Sequence, residues 1–141
     1  MKSPSLLDIL LLAVFCAIVS STPLQAASLE QEKLQRRITY LENTGEHAAT
    51  IPLYEQLRRL APEDSSLIQN MARTLAVLDA HDRIVTLLKP WLRDHPDDTG
   101  AYLRLGRTYL RLDQSQRALK TWNRAIERAP SPRLYQQISN Y

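Results

Sequence analysis

The sequence predicts an all-α chain built as an α-solenoid, with three helix-turn-helix repeats of 34 residues and a short C-terminal helix. Three observations carry that prediction. Pro62, Pro96 and Pro130 stand 34 residues apart, and a fixed period of this length marks a repeat array. Asp64/Asp98, Arg73/Arg107, Thr74/Thr108, Leu78/Leu112, Asp79/Asp113, Arg83/Arg117 and His47/His81 recur at the same offset. From residue 27 onward, 18 Leu stand against eight Ile plus Val and three Gly, a balance that favours helices over strands.

In chain order, the N-terminal segment comes first. Met1–Ser5 is short and polar with one Lys, Ile9–Val19 is an unbroken apolar run of 11, and Ser20–Ala26 turns small and polar around Pro23, which is expected to break any helix. That order reads as a cleaved export signal over residues 1–26. The run falls short of the ~20 residues a membrane-crossing helix needs, so an uncleaved N-terminal anchor is the alternative. The processed chain would begin at Ala27 or Ser28. It would hold no cysteine, since Cys16 leaves with the signal, which excludes disulfide frameworks, Cys-ligated metals and thiol chemistry. The bulky Phe15 argues against lipidation at Cys16.

The repeats follow at about 29–64, 65–98 and 99–132. In the third, Thr99–Leu112 sets Tyr102, Leu105 and Tyr109 on one helical face; after a break, Gln116–Arg128 sets Leu119, Trp122 and Ile126 likewise. The second reads as Ser65–Leu78 and Asp82–Asp94, the first as Leu29–Asn43 and Glu46–Leu60 with Gly45 at the turn. Asp98 or Thr99, and Glu63-Asp64-Ser65 one unit earlier, read as helix N-caps rather than catalytic carboxylates. Residues 133–141 place Leu134, Tyr135, Ile138 and Tyr141 near one side, the start of a truncated fourth unit or a capping helix.

These residues resemble the tetratricopeptide repeat. With Pro130 at position 32 of that motif, Tyr102, Leu105, Gly106, Tyr109, Ala118, Trp122, Ala125 and Pro130 all match its pattern. The first unit departs from it at Ile38, Thr50 and Leu57. The second keeps Ala72 but carries Ile84 and Trp91 where Ala permits close helix approach. Pro90 lies inside its second helix, which predicts an altered spacing between the second and third units. The resemblance implies a right-handed superhelix whose first helices line a concave groove.

Chemistry-bearing patterns are few. The glycines are isolated, so no phosphate-cradling loop exists. His47 and His81 share one repeat position and read as packing residues, a shared metal ion being the alternative. His95 falls in an inter-repeat turn. No catalytic or cofactor-binding set emerges, and the expectation is a non-enzyme without metal or cofactor. Past residue 26 the chain carries 17 basic and 14 acidic groups, too even a balance for a nucleic-acid partner.

What remains is the implied groove. Residues 97–141 hold eight basic and four acidic groups against five and six in 28–63. Arg104, Arg107 and Arg111 form one helical stripe, and guanidinium forks suit carboxylates. With Arg36, Asn70 and Arg73 they make the candidate partner-binding set, a solvated face being the alternative. Some members of the family clamp a partner's C-terminal carboxylate; of that pattern only Asn70 and Arg104 match here. The reading is an exported, periplasmic interaction scaffold of the cell envelope holding a peptide or partner helix, with an acidic or C-terminal segment expected in the groove. The alternative is the front portion of a larger envelope enzyme or secretion component.

Overall fold

A computed structural model describes the backbone of residues 6–140 and the side chains of residues 25–140. Seven α-helices follow one another among the described residues: α1 (Leu6–Asn43), α2 (His47–Leu60), α3 (Ser65–Val77), α4 (His81–Asp94), α5 (Thr99–Arg111), α6 (Ser115–Arg128) and α7 (Pro132–Ser139). Each helix packs on the next in sequence, which is how a solenoid buries faces that no single helix pair could cover alone. Nearly all of the expected helix ends fall within a residue of the observed ones. The exception is α1, which starts at Leu6 rather than Leu29 and runs through Pro23. One proline removes one amide donor and can kink a helix without ending it, and α2 and α4 likewise run through Pro52 and Pro90. The side chains of 1–24, which carry most of the export-signal reading, lie outside the described residues. Among the described residues no helix is long and apolar enough to cross a membrane.

Two turn types alternate, and both are written into the period. Within each unit the chain reverses through a left-handed residue: Gly45 (φ 79°), Asp79 (φ 52°) and Asp113 (φ 56°), each 34 residues from the next. Glycine adopts that conformation freely and aspartate tolerates it. The following amides close the same bond in all three turns, Glu46 N to Leu41 O (2.8 Å), Ala80 N to Leu75 O (2.9 Å) and Gln114 N to Tyr109 O (2.8 Å), a Schellman-type helix end. Between units, Asp64 accepts from the amides of Ser66 and Leu67 and Asp98 from that of Ala101, so both act as N-caps. Ser131 does the same for α7.

The core is one continuous row of buried side chains from Leu34 to Leu134. Two carboxylates fasten the seams between units. Glu42, near the end of α1, accepts from the Tyr54 hydroxyl (2.7 Å) and the Thr74 hydroxyl (3.0 Å), joining α1, α2 and α3. Burial and the Glu42 carboxylate push the Tyr54 phenol up to about 12. Asp98 accepts from the Trp91 indole N–H (2.8 Å) and the Ser65 hydroxyl (2.8 Å), joining α3, α4 and α5. Trp91 also stacks on His95 with ring centroids 3.7 Å apart. The residue that departs from the repeat pattern therefore fills the seam between the second and third units and bonds across it.

Candidate functional site

α5 has two faces of opposite character. Tyr102, Leu105 and Tyr109 are buried on one side. Arg104, Arg107 and Arg111 lie on the other because their positions differ by half a helical turn from the tyrosine stripe. There they line a cavity of about 300 Å³ together with Thr108 and, from the second unit, Ala76, Asp79 and His81.

Arg104 is the most constrained of the three. It is half-buried, and its Nε donates to Gln69 Oε1 on α3 (2.9 Å). Desolvation by burial, then the like charges of Arg73 and Arg107, lower its guanidinium pKa. An anion in the cavity would relieve that repulsion and restore part of the lost solvation. Thr108 turns its hydroxyl back to the Arg104 carbonyl (2.9 Å), so its polar group is spent on the helix. Asp79 projects from the turn into solvent, with its carboxylate 3.7 Å from His81 Nε2. Val77, 56 % exposed, leaves an apolar patch beside that turn.

The structure brings together Arg104, Arg107 and Arg111, with Arg73 close enough to act on Arg104 electrostatically. Asn70 sits half-buried on α3 but does not line the cavity, and Arg36 lies apart on α1, exposed and ion-paired with Glu32 one turn earlier. Sequence reasoning missed Gln69 as the group that holds Arg104, although Gln69 stands one repeat plus one residue before it. It also missed Asp79 and His81 as part of the wall, because they were read only as turn and packing residues. The Nδ1 atoms of His47 and His81 are buried without a hydrogen-bond partner. Among the described residues no group of three or more His, Cys, Asp or Glu side chains is arranged to hold a metal ion.

The tetratricopeptide-repeat sequence profile matches residues 11–137. A search of curated proteins finds no match. Solved structures similar to the chain include a double mutant of MamA RS-1, at 18 % identity and TM-score 0.61, with 78 % of this chain covered. The chain spans 62 % of that MamA chain. YrrB, a tetratricopeptide-repeat protein described as having an unusual peptide-binding site, aligns at 16 % identity and TM-score 0.65 over 88 % of this chain and 69 % of its own. The TPR2B domain of yeast Sti1, in its pHsp70 complex, aligns at 18 % identity and TM-score 0.62 over 79 % of this chain and 98 % of its own. At these identities the likeness is one of fold.

Proposed function

The chain belongs to the tetratricopeptide-repeat family, and from that premise we propose that it is a protein-interaction scaffold of the cell envelope. It binds an acidic or C-terminal peptide segment between α3 and α5, with Arg104 and Arg107 as charge anchors and Arg73 beside them. The observation that carries this reading is the crowding of like charge in one cavity. Half-buried Arg104 is held in place by Gln69 against the repulsion of two other guanidiniums. Nothing in the fold needs that arrangement, and a carboxylate ligand relieves it. The mechanism is recognition by a preformed groove, with no covalent step. The peptide-binding site of YrrB and the pHsp70 complex of the Sti1 domain are properties of those proteins and support the reading by analogy of fold. Envelope residence rests on the N-terminal segment: an apolar run followed by small residues makes Ala27 or Ser28 the new N-terminus of exported material, which N-terminal sequencing checks.

The test of the groove is a titration with a labelled Asp/Glu-rich peptide bearing a free C-terminus. Charge reversal by Arg104→Glu with Arg107→Glu is expected to weaken binding about tenfold or more, equivalent to ~1.4 kcal/mol. Raising salt is expected to weaken the wild-type complex as the ~8 Å physiological screening length shortens. Equal affinity of the two proteins would remove this groove as the binding site.

A further inference from the structure

On the opposite side of α5 lies a second cavity of about 300 Å³, between α4 and α6, with Tyr102, Tyr109 and Leu92 in its wall and Lys89, Arg93 and Arg124 around it. No acidic residue lines it. Among the described residues neither Lys89 nor Arg124 has a hydrogen-bond or ion-pair partner, while exposed Arg93 turns toward the adjacent Asp94 (3.1 Å). The hydroxyls of Tyr102 and Tyr109 likewise make no hydrogen bond within the described residues. The cationic side chains do not stop at the cavity. Along α6, Arg117, Lys120, Arg124 and Arg128 follow one another at three- and four-residue steps, so they share one face. That row spans about 16 Å at the helical rise, the reach of roughly five residues of extended chain. Only Glu127 opposes them on this helix.

We propose that this surface is a second docking site, separate from the α3/α5 groove, for an extended acidic polypeptide segment carrying one large apolar side chain. The acidic groups run along the α6 row and meet Lys89 across the cleft. The apolar side chain enters the cavity against Tyr102, Tyr109 and Leu92, and the two phenol hydroxyls are available to a flanking carboxylate. Charge complementarity selects an acidic partner. The linear spread of cations along a whole helix selects an extended chain over a compact anion, and the tyrosine-walled cavity selects an apolar anchor. With both sites occupied, the repeat array holds two partner segments on opposite faces of α5.

The test uses the full chain carrying Arg104→Glu and Arg107→Glu, so that the other groove no longer contributes. The probe is a fluorescein-labelled peptide of alternating Asp and Glu with one central Phe, followed by anisotropy. This protein is expected to bind the probe. Adding Lys89→Glu and Arg124→Glu is expected to weaken binding at least tenfold, as is exchanging the Phe of the probe for Gly. Should the charge-reversed variant lose helical content, Lys89→Gln with Arg124→Gln provides the same comparison at lower cost to folding, with a several-fold loss expected. Binding that ignores the Lys89 and Arg124 changes, or that ignores loss of the Phe, would overturn the proposal. Phosphatidylglycerol vesicles that bind through Lys89 and Arg124 while the peptide does not would also overturn it, making this a membrane-facing surface. Since the assay is run without the α3/α5 site, its failure is distinguishable from failure of the groove reading.

Discussion

The second and third units bury similar bulk with their large side chains in different places. In the third, Gly106 lets the Trp122 indole lie on the backbone of α5, where its N–H reaches the Leu103 carbonyl (3.3 Å). A Cβ at residue 106 would stand 2.0 Å from that indole nitrogen. At the matching positions the second unit has fully buried Ala72 and Leu88, one side chain a methyl larger and the other an aromatic ring smaller. Its tryptophan lies three residues further on, as Trp91, where the third unit has Ala125. There the ring faces the neighbouring unit and donates to Asp98. The repeat pattern is thus a set of paired volumes, and a departure from it is tolerated when a partner residue across the seam absorbs the change.

The largest expected effect breaks the Trp91 seam. Trp91→Ala should cost ~3–5 kcal/mol in chemical denaturation, since it empties a core site at the junction of two units. Trp91→Phe keeps most of the ring volume but removes the donor from half-buried Asp98, and should cost ~1–3 kcal/mol. Equal costs would mean that the hydrogen bond, rather than the volume, holds the seam.

Next comes the paired-volume claim. Gly106→Ala is expected to destabilise by ~1–3 kcal/mol or more through overpacking against Trp122, whereas Ala72→Gly should cost only ~1 kcal/mol as an added helix-interior glycine. Reversed magnitudes in the same denaturation series would show that the two positions are not volume partners.

The two fastening carboxylates predict opposite pH limits. Burial disfavours the Asp98 anion, but the bonds from the Ala101 amide, Trp91, Ser65 and Gln69 outweigh it and hold its pKa below the usual carboxylate value. A lowered folded-state pKa gives stability that is present above the unfolded value and lost as pH falls through the folded one. Tyr54 is raised to about 12, so its unfolded form ionises first and stability should decline from about pH 10 to pH 12. Melting curves across pH should show Asp98→Asn flattening the acid limb and Tyr54→Phe flattening the alkaline one. A variant that flattens the wrong limb would contradict the assignment.

The smallest effects concern the left-handed turns. Gly45→Ala should cost about 1 kcal/mol, while Asp113→Gly should change stability by less than that, with relief of the strained φ set against added chain entropy.

Much of this architecture was legible in the sequence because it is local. Prolines at a fixed period, helical spacing of Tyr102, Leu105 and Tyr109, and capping by Asp64 and Asp98 each depend on neighbours a few residues away. The contacts that cross units were not legible. Trp91 looked like a defect until Asp98 was placed beside it, and Glu42 counted as a groove residue until Tyr54 and Thr74 were seen to occupy its carboxylate. In the candidate site the Arg104, Arg107 and Arg111 stripe followed from helical geometry, but Gln69, Asp79 and His81 belong to the preceding unit and depend on how the units stack. Arg36 and Asn70 were projected from repeat positions, and the cavity does not include them. The length of α1 was missed because Pro23 was weighted as a stop.

The central claim is that α5 divides its labour, with one face packing the solenoid and the other binding. The most direct test is the melting temperature of the unliganded Arg104→Glu/Arg107→Glu protein, measured together with its affinity for the acidic C-terminal peptide. Because the arginines repel one another and face a cavity, melting should stay within a few degrees of wild type, in the range of ordinary surface substitutions at about ±0.5 kcal/mol, while affinity falls about tenfold or more. A melting temperature that drops sharply, with affinity per folded molecule unchanged, would show that these arginines hold the fold together and that binding lies elsewhere.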